Sequence, residues 1–242
     1  MMNTHIIKEA LLTSLKSDGG DSIHKVAAGV HLCLVQSRSA GMASIIHDPD
    51  DGHQMITGAG KLQTLSLREL LKLIYSDNLL EASLGMAALN SALPPAAGYD
   101  KGNAFDFIRA QAAGKNLGIV GHFHFVERFR PEVKNLWVFE KKPQGDDLDE
   151  SLMDTYLPDC QVLVITAQSL TNNTLGQILD LAPKAFKILL GPSAPLSTLL
   201  FDYGIDVIGG VKIINSDLVY QYIIQGAGFR QLQGIELVMI HK

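Results

Sequence analysis

From Asn103 onward, short and wholly apolar runs recur at nearly even intervals: "LGIVG", "NLWVFE", "QVLVIT", "FKILLG", "IDVIGGVKII" and "GIELVMI". No other feature constrains the fold so tightly. A strand with one solvated face alternates apolar and polar residues, whereas a strand buried on both faces has no polar side to show. Helical or loop-like segments separate the runs, as βαβ units require. Residues 103–242 therefore predict a Rossmann-like α/β domain with a mainly parallel sheet. Its entry is the helix "NAFDFIRAQAAGK", which ends at Gly114.

Residues 1–102 follow a different pattern. "MMNTHIIKEALLTSLK" reads as a short amphipathic helix without the basic start and small-residue cleavage site of a signal peptide. "SIHKVAAGVHLCLVQ" alternates in part, with Val26, Ala28, Val30, Leu32 and Leu34 on one face, and reads as a strand ending at "SRS". "AGMASII" reads as the next strand, and the acidic "HDPDDGHQ" as the loop after it. The pattern predicts a hairpin or meander with antiparallel pairing. Ser66 followed by Glu69 has capping-box spacing at the start of "SLRELLKLIY". "LLEASLGMAALNSAL" is rich in helix formers and small residues and is stopped by "PP". Its small residues predict close packing. The first half is thus an α+β domain, and "GYDKGN" is the natural hinge to the second.

Composition narrows the function. The 242 residues are 47% hydrophobic and 19% charged, with a formal net charge of -5 and a pI near 5.9. No cluster of Lys or Arg marks a nucleic-acid groove, and no stretch approaches the ~20 apolar residues of a membrane span. Cys33 and Cys160 both lie in apolar stretches and read as small buried hydrophobes. These features predict a soluble cytoplasmic protein with neither nucleic acid nor membrane as partner. A homo-oligomer is compatible with them.

Open parallel sheets bind ligands at the carboxyl ends of their strands, near the point where strand order reverses. The residues there are Gly121, His122 and His124 after the first run, then Glu140 after the second. The third gives Thr166, Ser169, Thr171, Asn172 and Thr174, and the fourth gives Gly191, Pro192 and Ser193. Glu140 follows Gly121 by 19 residues, the distance at which dinucleotide-binding folds place a ribose-binding acid. However, "GIVGHF" is not G-x-G-x-x-G, so an ordinary NAD site is not expected. Two histidines at i and i+2 point opposite ways in a regular strand and can meet one ion only in a loop. The hydroxyl- and amide-rich turn "TAQSLTNNT" between a strand and a helix reads either as a polar-ligand cradle or as ordinary capping by Asn172 or Asn173. No G-x-S-x-G, P-loop, C-x-x-C or H-E-x-x-H motif is present.

The series "GIVGHFHF", "FEKKP", "LPDCQVLVITAQSLTNNTLGQIL", "LLGPSAPLS" and "YGIDVIGGVKI" resembles the bacterial and archaeal family labelled "putative heavy-metal chelation", formerly a domain of unknown function. The first half, with "LGMAALNSAL", resembles that family's companion domain. The resemblance implies an enolase N-terminal-like domain followed by a Rossmann-like domain, partial likeness to methyltransferases, and a site in the cleft between them. It also implies a link to metal chelation through siderophore-, pterin- or flavin-like molecules. Where relatives are expected to carry glycine after Thr166 and Asn172, this chain has Ala167 and Asn173, which implies less close approach of a ligand to those turns. From the cap, Asn90 is the favoured contributor, ahead of Arg38, Ser39 and Thr57.

Two functions follow. In the first, the chain is a small-molecule enzyme for condensation, hydrolysis or group transfer. His122 or His124 acts as general acid or base, Glu140 holds a hydroxyl or ring nitrogen, and the two polar turns hold the substrate. In the second, the chain binds a transition metal or a metal–chelate complex without catalysis. Its ligand set would be His122, His124 and Glu140, with Cys160 as an outside member.

Overall fold

The computed structural model describes residues 2–15, 22–47, 54–94, 96 and 98–242. Most of the acidic loop predicted at 47–54, and Pro95 of the "PP" stop, lie outside them.

Helix α1 (Thr4–Thr13) is capped by Asn3, whose side chain accepts from the His5 amide. Its inward stripe is Thr4, Ile7, Lys8 and Leu11, the spacing of one helical face. Strands β1 (Lys25–Ala28), β2 (Leu32–Gln36) and β3 (Ala40–Ser44) form an antiparallel meander, Lys25 opposite Gln36 and Gln36 opposite Ala40. The meander is as predicted, but the stretch expected to be one strand is two. The chain reverses at Gly29–His31, which leaves Val30 55% exposed. At Gly29 the backbone runs so close to the end of a later helix that a Cβ would fall 2.3 Å from the Ile223 carbonyl oxygen. Alternation carries no information about such a contact.

Helix α2 (Leu67–Lys72) begins with the complete capping box between Ser66 and Glu69. Helix α3 (Leu79–Ala92) is buried almost all round. Its small residues let β3 approach until a Cβ on Gly41 would fall 2.2 Å from the Ser91 nitrogen.

Strand β4 (Asp100–Lys101) lies in the stretch read as a hinge, and it pairs with the last strand. Next come α4 (Ala104–Ala112), β5 (Asn116–Val120), β6 (Asn135–Glu140), β7 (Leu148–Asp149), α5 (Met153–Tyr156) and β8 (Val162–Thr166). They are followed by α6 (Gln168–Thr171), α7 (Leu175–Leu181), β9 (Phe186–Leu190), β10 (Val207–Ile213), α8 (Ser216–Ile224) and β11 (Ile235–His241). The eight strands order as β4-β11-β10-β9-β8-β5-β6-β7. The six from β7 to β10 are parallel, and β11 and β4 close one edge antiparallel. Counted from β5, the parallel strands run 3-2-1-4-5-6, and the order reverses between β5 and β8.

The apolar runs are buried on both faces. Val162 and Val164 join one core with Phe105, Ile108 and Phe129, while Leu163 and Ile165 join the other. That second core also takes Ile7 and Leu11 of α1, most of α3, and Leu175 and Ile178 of α7. Both cysteines are free, and burial pushes their thiols up to about 12.

Candidate functional site

The crossing from β5 to β8 sets the geometry. Gly121, directly after β5, has φ +98°, and its N–H donates to Phe139 O on β6 at 2.9 Å. A Cβ there would sit 2.9 Å from Thr166 Cβ at the end of β8. Glycine is therefore required twice, by conformation and by contact. The turn aims the next amide, of His122, at the Glu140 carboxylate at the end of β6. Glu140 also accepts from the Lys141 amide at 3.2 Å.

His122 Nδ1 meets the Asp147 carboxylate at 2.9 Å. That carboxylate is only 4% exposed, while the imidazole is 41% exposed. Asp147 also accepts from the Gln144 amide at 3.1 Å, so the acid is held by its own turn. Among the described residues, His122 Nε2 has no hydrogen-bond partner. Asp147 carries no signal in the sequence, because β7, which follows it, is two residues long and offers no apolar run to mark a strand.

A cleft of about 520 Å³ opens over the ends of β5, β6 and β8; His122 and Asp147 do not line it but adjoin it through Gly121 and through the Glu140 carboxylate that accepts the His122 amide. Gly121, Glu140, Thr166, Asn172 and Thr174 line it from the parallel sheet, and Ile46, His47 and Leu79 from the first half of the chain. The turn after β8 is largely self-satisfied. Asn172 Oδ1 accepts from the Thr174 hydroxyl at 2.8 Å, and Ser169 Oγ donates to Thr166 O at 2.7 Å. The amides of Leu170, Asn172 and Thr174 are bonded within the turn, so it supplies side chains to the cleft rather than a nest of free N–H groups. Asn173 carries φ +66°, a conformation asparagine tolerates and glycine would adopt freely.

The remaining predicted residues lie elsewhere. His124 is exposed and stacks edge-on against Phe125 at 5.3 Å. It does not join His122, because the chain leaves β5 into a short 3-10 turn, Val126–Phe129. Ser193 is buried; its Oγ accepts from the Ser44 amide at 2.8 Å, and its carbonyl accepts from Asn90 Nδ2 at 3.2 Å. It stitches β3 and α3 to the turn after β9. Gly191 (φ +133°) donates its N–H to Gly209 O at 3.0 Å and is part of the same turn. Asn90 and Pro192 line a second, smaller cavity. Thr57 donates its amide to Glu81, and Ser39 donates its hydroxyl to Ser91 O, so neither reaches the cleft.

Residues 103–241 match the model of the family DUF364, described as "Putative heavy-metal chelation", and residues 9–93 match a second model, DUF4213, with the same description. The chain belongs to the DUF364 family. A DUF364 protein of Desulfitobacterium hafniense, of unknown function, shares 23% identity over 99% of both chains with a TM-score of 0.87. Another, from Pyrococcus horikoshii, shares 20% identity over 99% of both chains with a TM-score of 0.81. These two establish the shared fold. No curated protein matches the chain.

The family description raises the question of a metal held by the DUF364 site itself. Among the described residues, no three His, Cys, Asp or Glu side chains converge to hold an ion. His122 has spent Nδ1 on Asp147, and His124 points elsewhere. Cys160 is a buried thiol against Gly118, with Sγ directed at Tyr156 O. The ligand set of His122, His124, Glu140 and Cys160 does not assemble, and these residues do not fit a bare metal ion. No helix among the described residues is long and apolar enough to cross a membrane.

Proposed function

We propose that this DUF364 protein is an enzyme that uses the His122–Asp147 pair as a general acid–base on a small polar molecule held in the cleft at the ends of β5, β6 and β8. The proposal rests on the carboxylate–imidazole contact at 2.9 Å. A carboxylate on Nδ1 fixes the tautomer, so that Nε2 carries the free lone pair, and it stabilises the imidazolium formed when Nε2 takes a proton. Nε2 can then take a proton from water or a substrate hydroxyl in hydrolysis or condensation, and return it to the leaving group. Glu140 keeps lone pairs for a substrate hydroxyl or ring nitrogen. The volume suits a molecule of siderophore-, pterin- or flavin-like size. In this proposal residues 1–102 form a cap over residues 103–242.

The description shared by both family models favours a second function, non-catalytic carriage of a metal–chelate complex. There the chelator, not the protein, supplies the metal's ligands.

Protein purified without tag or chelator is denatured, and the released molecules are identified by mass spectrometry alongside elemental analysis. The enzyme proposal expects an organic molecule without stoichiometric metal. It also expects that molecule to be turned over by the wild type and still bound, but not turned over, by His122→Gln. Metal and organic molecule in equal amounts would support the carrier. A stoichiometric metal alone would overturn both.

A further inference from the structure

The second cavity lies away from the strand-end cleft, between β3, the end of α3, the turn after β9, and strands β10 and β11. It is about 150 Å³, a volume that takes a molecule of roughly six to ten non-hydrogen atoms. Met42, Leu93, Leu196 and Val238 give it mostly apolar walls. Ser39, its hydroxyl already given to Ser91 O, and three further polar side chains break them.

Asn90 is the first. Its Nδ2 donates to two main-chain carbonyls, Met42 O at 2.9 Å and Ser193 O at 3.2 Å. Two carbonyl acceptors fix the orientation of the carboxamide. The oxygen left over, Oδ1, is buried and has no partner among the described residues. A buried carbonyl oxygen without a donor is costly, and an ordered water or a bound molecule can supply one. The other two are Lys212 and Tyr99. Lys212 Nζ donates to the Tyr99 hydroxyl at 2.7 Å and lies 4.7 Å from the ring centre. Its cross-strand neighbour Glu236 pairs instead with Lys101 at 2.6 Å. Among the described residues no carboxylate lies within ion-pair distance of Lys212, although Glu236 stands on the same face of the sheet.

We propose that this cavity binds a small apolar carboxylic acid bearing a hydrogen-bond donor. The carboxylate faces the Lys212 ammonium and the Tyr99 hydroxyl, the apolar body fills the walls, and the donor satisfies Asn90 Oδ1. One cation suits one carboxylate, and the apolar lining and size argue against a phosphorylated ligand. The site is independent of the acid–base pair at His122, so each can fail without the other.

The test uses three probes of one skeleton, 2-hydroxy-4-methylpentanoate, 4-methylpentanoate and 4-methylpentanol, titrated into full-length protein and followed by amide and side-chain NMR shifts. The expected affinity order is hydroxy acid, then acid, then alcohol, with shifts at Asn90, Ala40 and Ala194 rather than at Gly121 and Glu140. Lys212→Met weakens both acids by about tenfold or more and leaves the alcohol unchanged. Tyr99→Phe, a milder change, weakens the acids less. Equal affinity for acid and alcohol, acid binding unaffected by Lys212→Met, or no cavity shifts into the millimolar range would each overturn the proposal.

Discussion

Gly121 and Thr166 touch across the reversal point of the sheet, and no side chain fits between them. Gly121→Ala must place a methyl group 2.9 Å from Thr166 Cβ while holding φ at +98°. The expected cost is about 2–4 kcal/mol, from left-handed backbone strain together with overpacking. Urea denaturation measures it, and a loss below about 0.5 kcal/mol would mean that the turn rearranges freely. Gly121, Glu140, Thr166, Asn172 and Thr174 do meet at one cleft, because a parallel sheet gathers its strand termini on one edge. The partner of His122 was not legible. Asp147 sits in a turn set by Gly145 and Gln144, and nothing in its neighbours distinguishes it from Asp146, which is exposed. Likewise, Ser193 looked like a ligand residue, yet its hydroxyl is used by the Ser44 amide, a contact across 149 positions of sequence.

Elements that carry their own signal were legible. The capping box at Ser66 and Glu69 is local chemistry, and it formed as written. The Ser66 hydroxyl and amide hold the Glu69 carboxyl below its usual range. Helix α2 has only six residues, so its start matters more than it would in a long helix. Ser66→Ala should cost about 1 kcal/mol in thermal or urea unfolding, whereas Ser66→Asp, which keeps an oxygen acceptor at the cap, should restore most of it. The parallel strands were legible for a similar reason, since burial on both faces writes an uninterrupted apolar run. Strands β4 and β7 were not, because two residues hold no period. The reversal at Gly29 was hidden because the cause lies on α8, nearly two hundred residues away.

Across the whole molecule, the first and second halves are joined by more than a hinge. Lys8 is fully buried, and its ammonium donates to Ile74 O at 2.8 Å, next to α3, and to Thr171 O at 3.3 Å, at the end of α6. Burial lowers its pKa from 10.5 to about 8. The unfolded chain therefore holds this proton more tightly than the folded one, and the ammonium costs stability at neutral pH. As pH rises from about 8 to 10.5, that cost is relieved by up to about 3 kcal/mol. The raised thiol values of Cys33 and Cys160 act in the opposite sense at high pH, so the comparison is between wild type and Lys8→Met. The stability of wild type relative to the variant should climb through that window in urea titrations at stepped pH, and a flat difference would show that Lys8 titrates normally. The docking of α1 has another consequence, one of timing. Thr4 donates its hydroxyl to Asn173 O, 169 residues later, and accepts the Gly176 amide. On a ribosome, α1 is finished roughly ten to thirty seconds before α7 exists to receive it. During that interval α1 has only its contacts with the first half, around Ile74 and Tyr75, and the face that will pack on α7 stays uncovered and open to a chaperone.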